Sequence, residues 1–236
     1  MTHVPHPRFG RILDAIRELV FGLEDGLVST LGAVAGIAAG TEDARIVVLS
    51  GLVLVGVEAL SMAAGSYLSN KSHREMLEKR IADERREIEE KPEEETEELC
   101  TMYRQRGFNE DEIGILVKRI CADKELWLEE MMAKELRIGA GDLEEPRSRA
   151  IVMGVAYIVG GAVPVIPFLL MPVDTALWVA IAATVVSLFA VGYVKAGATG
   201  LDRWKSGLEM VVVASIAALI GYAIGKFVGG FFGLTV

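Results

Sequence analysis

Between Ile46 and Ser69 the chain reads "IVVLSGLVLVGVEALSMAAGSYLS", and Glu58 is its only charged residue. A run this long and this apolar has one common solution, a helix crossing a lipid bilayer. About twenty residues at 1.5 Å each span the hydrocarbon, and a helix satisfies its own backbone there. Four more runs share this character, at roughly 20–40, 150–171, 173–194 and 210–234. Of the 236 residues, 52% are hydrophobic, yet 24% are charged, so charge and apolarity must be segregated along the chain. Most of the charge falls in one polar segment, 71–149. The expected fold is all-α: an integral membrane protein with five transmembrane helices and a three-helix polar domain between spans 2 and 3. Residues 1–70 hold the N-terminal segment and spans 1 and 2, residues 71–149 the polar domain, and residues 150–236 spans 3 to 5. The first run lacks the small-residue cleavage pattern of a secretory signal and is read as a span.

Lys and Arg set the expected orientation. Arg8, Arg11 and Arg17 precede span 1, segment 71–149 holds 16 basic residues, and Lys195, Arg203 and Lys205 lie between spans 4 and 5. The other two connections offer Arg45 and, in "MPVD", nothing basic. The N-terminus and the 71–149 domain are therefore expected in the cytoplasm and the C-terminus outside. Lys226, inside the last run, can snorkel to the interface. Segment 71–149 is acidic, with 23 of the 33 Asp and Glu of the chain. Such a face repels nucleic acid and anionic lipid and collects cations.

Breakers and caps divide the polar segment. The first helix continues span 2 and stops at Pro92, which can open a second helix ended by Gly107. Asn109 can cap "EDEIGILVKRI", and Asp123 can cap "KELWLEEMMAKELRI", closed by Gly139. These last two are one broken helix or two short ones. In span 1, Gly32, Gly36 and Gly40 line one face, and Gly221, Gly225, Gly229 and Gly233 do so in span 5. Such ladders let helices approach closely, within the chain or between two copies. Gly160, Gly161, Pro164 and Pro167 predict a kinked or broken span 3.

A carboxylate in hydrocarbon is costly unless it faces a partner or a pathway. Glu58 and Met62 are one turn apart on span 2, and Asp25 lies in the cytoplasmic half of span 1. Counting residues from the span centres puts Asp25 and Met62 at one depth, with Glu58 one turn further in. Two carboxylates and a thioether suit a transition-metal dication such as iron(II), since soft sulfur shifts preference away from magnesium and calcium. The plainer account is a neutral, hydrogen-bonded Glu58 and a Met62 that fills core. In the polar segment, Glu84 with Glu87, and Glu95 with Glu98, recur at i, i+3, while Met131 and Met132 stand about one turn before Glu135. On spacing alone, a solvated helix face is the better account of these acids. Cys100 and Cys121 are spaced for neither a zinc ribbon nor a redox pair and read as reduced, buried small residues. His3, His6 and His73 form no metal motif.

The segments "DGLVSTLGAVAG", "ALSMAAGSYLS", "ADERREIEEKPEEETEEL", "WLEEMMAKELRIG" and "AYIVGGAVPVIPFLL" occur in this order over nearly the whole chain. Together they resemble the vacuolar iron transporter family, with a prokaryotic member as the expected type. The resemblance implies a five-span homodimer that exchanges cytosolic iron(II), and often manganese(II), for protons. It also implies a pathway lined by spans 1 and 2 and a cytoplasmic metal-binding domain. By that resemblance Asp25 and Met62 are pathway residues, and Glu84, Glu87, Glu95, Glu98, Met131, Met132 and Glu135 are cytoplasmic ligands. One departure stands out. Better-known members carry a span 2 glutamate two turns before the methionine, where this chain has Leu54; its acid is Glu58, on the same face.

The function expected is therefore a proton-coupled exporter of iron(II) and manganese(II), and not an enzyme. No permanent cofactor is expected, only transported or bound iron(II), manganese(II) or zinc(II). Partners are these ions, protons, the bilayer and a second copy, and no nucleic acid. A prokaryotic plasma membrane is the expected location. The alternative is a membrane-anchored module that buffers or senses divalent metal without moving it, but an intramembrane carboxylate has no task there. An intramembrane hydrolase would need a nucleophile–histidine pair or a zinc motif that no span carries.

Overall fold

The structure, a computed structural model, describes residues 7–41, 43–139, 143, 145–212 and 214–216. Among these there is no strand. The helices are α1 (Pro7–Gly40), α2 (Ala44–Glu90), α3 (Pro92–Gln105), α4 (Glu110–Cys121), α5 (Lys124–Lys134), α6 (Pro146–Leu170) and α7 (Val173–Thr199). Residues 203–212 and 214–216 are helical too. Four stretches are long and apolar enough to cross a membrane: Ile16–Gly40, Ala44–Glu90, Pro146–Leu170 and Val173–Gly197. Most of the fifth run, with Gly221, Gly225, Lys226, Gly229 and Gly233, lies outside the described residues. The chain forms two compact units, one containing Ser69–Glu145 and the other Arg8–Leu68 with the residues from Pro146 on.

In the apolar unit, glycines decide which helices touch. A Cβ on Gly26 would stand 2.5 Å from the carbonyl oxygen of Tyr157, and one on Gly22 would stand 2.7 Å from that of Met153. On α6, a Cβ at Gly160 would come within 2.5 Å of the carbonyl oxygen of Leu23. Backbone thus lies on backbone where α1 crosses α6, a separation that only hydrogen side chains permit. Gly32, Gly36 and Gly40 are different: nothing lies within 4 Å of a Cβ built on any of them. The ladder visible in the sequence is not the one that holds α1 in its own chain.

Of the kink or break expected in α6, the break is absent. The helix is unbroken through Pro164 and Pro167. A proline deletes one backbone bond and need not end a helix whose sides are packed. Both prolines are buried, beside Val165 and Phe168 of the apolar cluster that also includes Val34 of α1 and Val47 and Val55 of α2.

In the other unit, the C-terminal part of α2 meets α3, α4 and α5. Pairs one turn apart hold the solvated faces of α2, with Arg74 to Glu78 at 2.7 Å and Lys71 to Glu75 at 3.6 Å. Lys91 takes an extended φ of −134° ahead of Pro92, and α2 ends there. Gly107, at φ +90°, turns the chain after α3. Asn109 and Glu112 form a reciprocal capping box at α4. Asp123 accepts from Glu125 N at 3.1 Å and starts α5, so the third expected helix is two short ones. α5 stops at Lys134, short of the expected Gly139. Arg137 adopts φ 55°, a left-handed conformation that no helix continues through, and Ile138 N bonds back to Met132 O at 2.9 Å. The core is Leu99, Tyr103, Ile113, Trp127, Met131 and their neighbours, with Cys100, Cys121 and Met132 packed on its edge. Each such large side chain contributes about 1.5–3 kcal/mol by leaving water. Both cysteines are free thiols.

Candidate functional site

Two groups of carboxylates stand out, one in each unit. In the polar unit, Glu84 comes from α2, Glu95 from α3 and Glu135 from the residue that caps α5. Their carboxylate oxygens lie within 4.8 Å of one another. Glu84 is 3% exposed and Glu95 6%, and each leaves one buried oxygen without a hydrogen-bond partner. So does Glu135. Buried acids this close cannot all ionise. Burial, then the charges of Glu135, Glu95, Glu87 and Glu98, push the Glu84 carboxyl up to about 8. Burial first, and then the Glu98 charge, also raise Glu95 and Glu135. The repulsion favours protonation of Glu84 at neutral pH, and a dication supplying two charges would relieve it better.

Glu87 and Glu98 are exposed and act on this group through their charge, at its rim. Met132 packs at the edge of the apolar core, and Met131 is wholly inside it at 0% exposure. The structure thus brings together Glu84, Glu95 and Glu135, with Glu87 and Glu98 nearby, while placing Met131 as core.

In the apolar unit, α1 and α2 run antiparallel through a short connection in which Asp43 accepts from Arg45 N at 2.9 Å. Ser66 Oγ donates to Glu18 Oε2 at 3.5 Å, and this sets the register. Seven residues on along α1 and eight back along α2 stand Asp25 and Glu58, each half-buried, with the Glu58 charge within reach of Asp25. Asp25 therefore stands opposite the turn of α2 that runs from Glu58 to Met62. Met62 is half-buried one turn along α2, and Leu54 is half-buried one turn the other way.

Three further residues join this region without having been singled out in the sequence. Glu18 is 4% exposed and pairs with Arg17 at 3.0 Å. Tyr157 of α6 is 0% exposed, and its hydroxyl lies 2.8 Å from Ser29 Oγ. Ser29 Oγ donates to the Asp25 carbonyl at 2.5 Å. Glu18 could have been found, because it stands two turns before Asp25 just as Ser66 stands two turns beyond Glu58. No residue pattern marks Tyr157, whose place depends on how α6 packs.

These helices define an all-α, multi-pass membrane protein with acids on its spanning helices. Comparison with known proteins narrows the class. The family model described as the VIT family matches residues 16–226. Vacuolar iron transporter 2 of Oryza sativa subsp. japonica is 30% identical over 221 residues, covering 91% of this chain and 88% of the relative. Vacuolar iron transporter 1 of Arabidopsis thaliana is 29% identical over 218 residues, covering 91% and 86%. Protein CCC1 of Saccharomyces cerevisiae is 30% identical over 229 residues, covering 91% and 69%. The chain belongs to the VIT family, a family of membrane transporters and not of enzymes.

Proposed function

We propose that this protein exports iron(II), and manganese(II) with it, from the cytoplasm in exchange for protons. The observation that carries this reading is that two membrane-crossing helices packed against one another carry half-buried acids, Asp25 on α1 and Glu58 on α2. Two such carboxylates can hold a dication or protons but not both at full occupancy, so arriving metal expels protons and a proton gradient expels metal. Met62, one turn away on α2, adds a soft donor that favours iron(II) over magnesium. The names of the relatives, vacuolar iron transporters, support iron as the cargo.

In this reading Glu84, Glu95 and Glu135, ringed by Glu87 and Glu98, gather the cation in the cytoplasm, with Met132 as a supporting ligand. The proposed topology has five spans, with the N-terminus and residues 71–149 cytoplasmic and the C-terminus outside. A prokaryotic plasma membrane is the proposed host. The working form is a homodimer, supported by the open face of Gly32, Gly36 and Gly40. Glu58 does the work of the glutamate that other members place at the position of Leu54.

The purified protein in liposomes should take up iron(II) when a pH gradient is imposed and slow sharply without one. Uptake indifferent to the gradient would remove the antiport. Binding with no uptake at all would leave a membrane-anchored metal buffer, which the acid group of the polar unit could serve alone.

A further inference from the structure

The hydroxyl pair behind Asp25 has a fixed direction. Ser29 spends its one hydroxyl proton on the Asp25 carbonyl at 2.5 Å. Toward Tyr157, 2.8 Å away, Ser29 Oγ can then only accept. The chain therefore runs from the Tyr157 hydroxyl to Ser29 and on to the backbone of Asp25. A serine that bonds back four residues bends its helix slightly, so this bond bears on the shape of the turn that carries the acid.

The backbone around that turn is held by the same partner. Gly22 and Gly26, on either side of Asp25, lie against the α6 backbone at Met153 and Tyr157. Tyr157 is fully buried, and the Thr30 hydroxyl also lies beside it. The charges of Asp25 and Glu58 both reach it.

We propose that Tyr157 is a positioning residue of the ion pathway, fixing through Ser29 the turn of α1 that presents Asp25, so that the third span as well as the first two sets how tightly the cation is held. This rests on the pathway reading above and extends it to a helix that carries no intramembrane acid of its own. Tyr157 does not ligate the metal; it determines where Asp25 stands when the metal arrives.

The test uses the full-length protein in liposomes with an imposed pH gradient, measuring initial iron(II) uptake against iron(II) concentration. Tyr157→Phe removes one hydroxyl and should raise the half-saturating concentration about five-fold, the factor that one ordinary hydrogen bond supplies. The maximal rate should stay within about two-fold, because the groups that exchange metal for protons remain. Ser29→Ala should do the same. The double variant should be no worse than either single one, since both break one chain. A general loss of stability would lower maximal rate and recovered protein without this split and without this non-additivity. Should Tyr157→Phe not be recovered folded, Ser29→Ala carries the measurement alone.

Asp25→Asn, run in parallel, separates the two ideas. If it is inactive while the hydroxyl variants keep the normal half-saturation, the positioning role is wrong and the pathway stands. Multiplying effects in the double variant would overturn the single chain as well. Wild-type uptake by Asp25→Asn would overturn the pathway, and this inference with it.

Discussion

The two acid groups use the same side chains in opposite settings. Glu84, Glu95 and Glu135 converge from three segments of a small, well-packed helical unit, and burial and their mutual repulsion push the Glu84 carboxyl up to about 8. Asp25 and Glu58 come from just two helices, half-buried, with a tyrosine–serine chain behind one of them. A three-way cluster with unpartnered oxygens is suited to keep a dication. A two-way pair is suited to let one go, because weak binding at few ligands permits release. Convergence is thus what distinguishes gathering from passage, and each prediction below strikes one side of that contrast.

The largest effect should follow from dismantling the cluster. Replacing Glu84, Glu95 and Glu135 together by alanine should weaken iron(II) or manganese(II) binding to the full-length protein at least about 100-fold, as affinity at oxygen sites follows ligand charge. Isothermal titration reads this directly. If binding survives, these acids are a buried structural oddity and the exposed Glu87 and Glu98 must hold the metal.

Next come the glycines that position the intramembrane pair. Gly26→Ala puts a methyl group 2.5 Å from the Tyr157 carbonyl oxygen. It should cost about 3 kcal/mol, the upper end for overpacking, and lower the unfolding temperature in detergent. Gly36→Leu meets nothing within the chain. It should leave the protomer folded and instead reduce the particle mass seen by light scattering from dimer to monomer. Equal destabilisation by both would mean that the open ladder has a partner inside its own chain.

A smaller effect should come from moving the acid along α2. Leu54→Glu combined with Glu58→Gly should recover part of the uptake that Glu58→Gly alone loses, since 54 and 58 share a helix face. No recovery would mean that standing opposite Asp25 is essential, a sharper constraint than sharing a face.

The most gradual effect is a slope with pH. The Glu84 carboxyl sits at about 8 in the folded protein against 4.5 ordinarily, so between those values the folded state binds more protons than the unfolded one. Stability without metal should therefore be greatest below about pH 4.5 with respect to this group and fall as pH rises toward about 8. Saturating manganese(II) should flatten that fall, because the ion replaces the proton. Chemical denaturation of the full chain across this range would show the slope; a flat profile without metal would mean the three carboxyls are apart in solution.

Much of this was legible in the chain. Apolar runs announced the helices from Ile16, Ala44, Pro146 and Val173, because lipid leaves the backbone few alternatives. Pro92, Gly107, Asn109 and Asp123 marked the turns of the polar unit, since each acts through local backbone chemistry. What escaped depended on contacts between helices. α6 runs on through Pro164 and Pro167, both buried on its packed face beside Val165 and Phe168. The choice of Gly22 and Gly26 over Gly32 and Gly36 as the seat of α6 depends on which face α1 turns inward, which spacing cannot tell. Met131, a plausible ligand by its place before Glu135, is core because the face of α5 that it shares with Trp127 packs into the cluster around Leu99. Tyr157 is one more aromatic residue in a span until α1 is laid against it.

The central claim is that Glu58, with Asp25, exchanges metal for protons. It is tested most directly by following lumenal pH in acid-loaded liposomes while iron(II) is added outside. The unaltered protein should raise lumenal pH as iron enters, whereas Glu58→Gln, similar in size but unable to ionise, should do neither. If Glu58→Gln takes up iron(II) and releases protons at the unaltered rate, Glu58 is a packing residue and the account of the pathway is wrong.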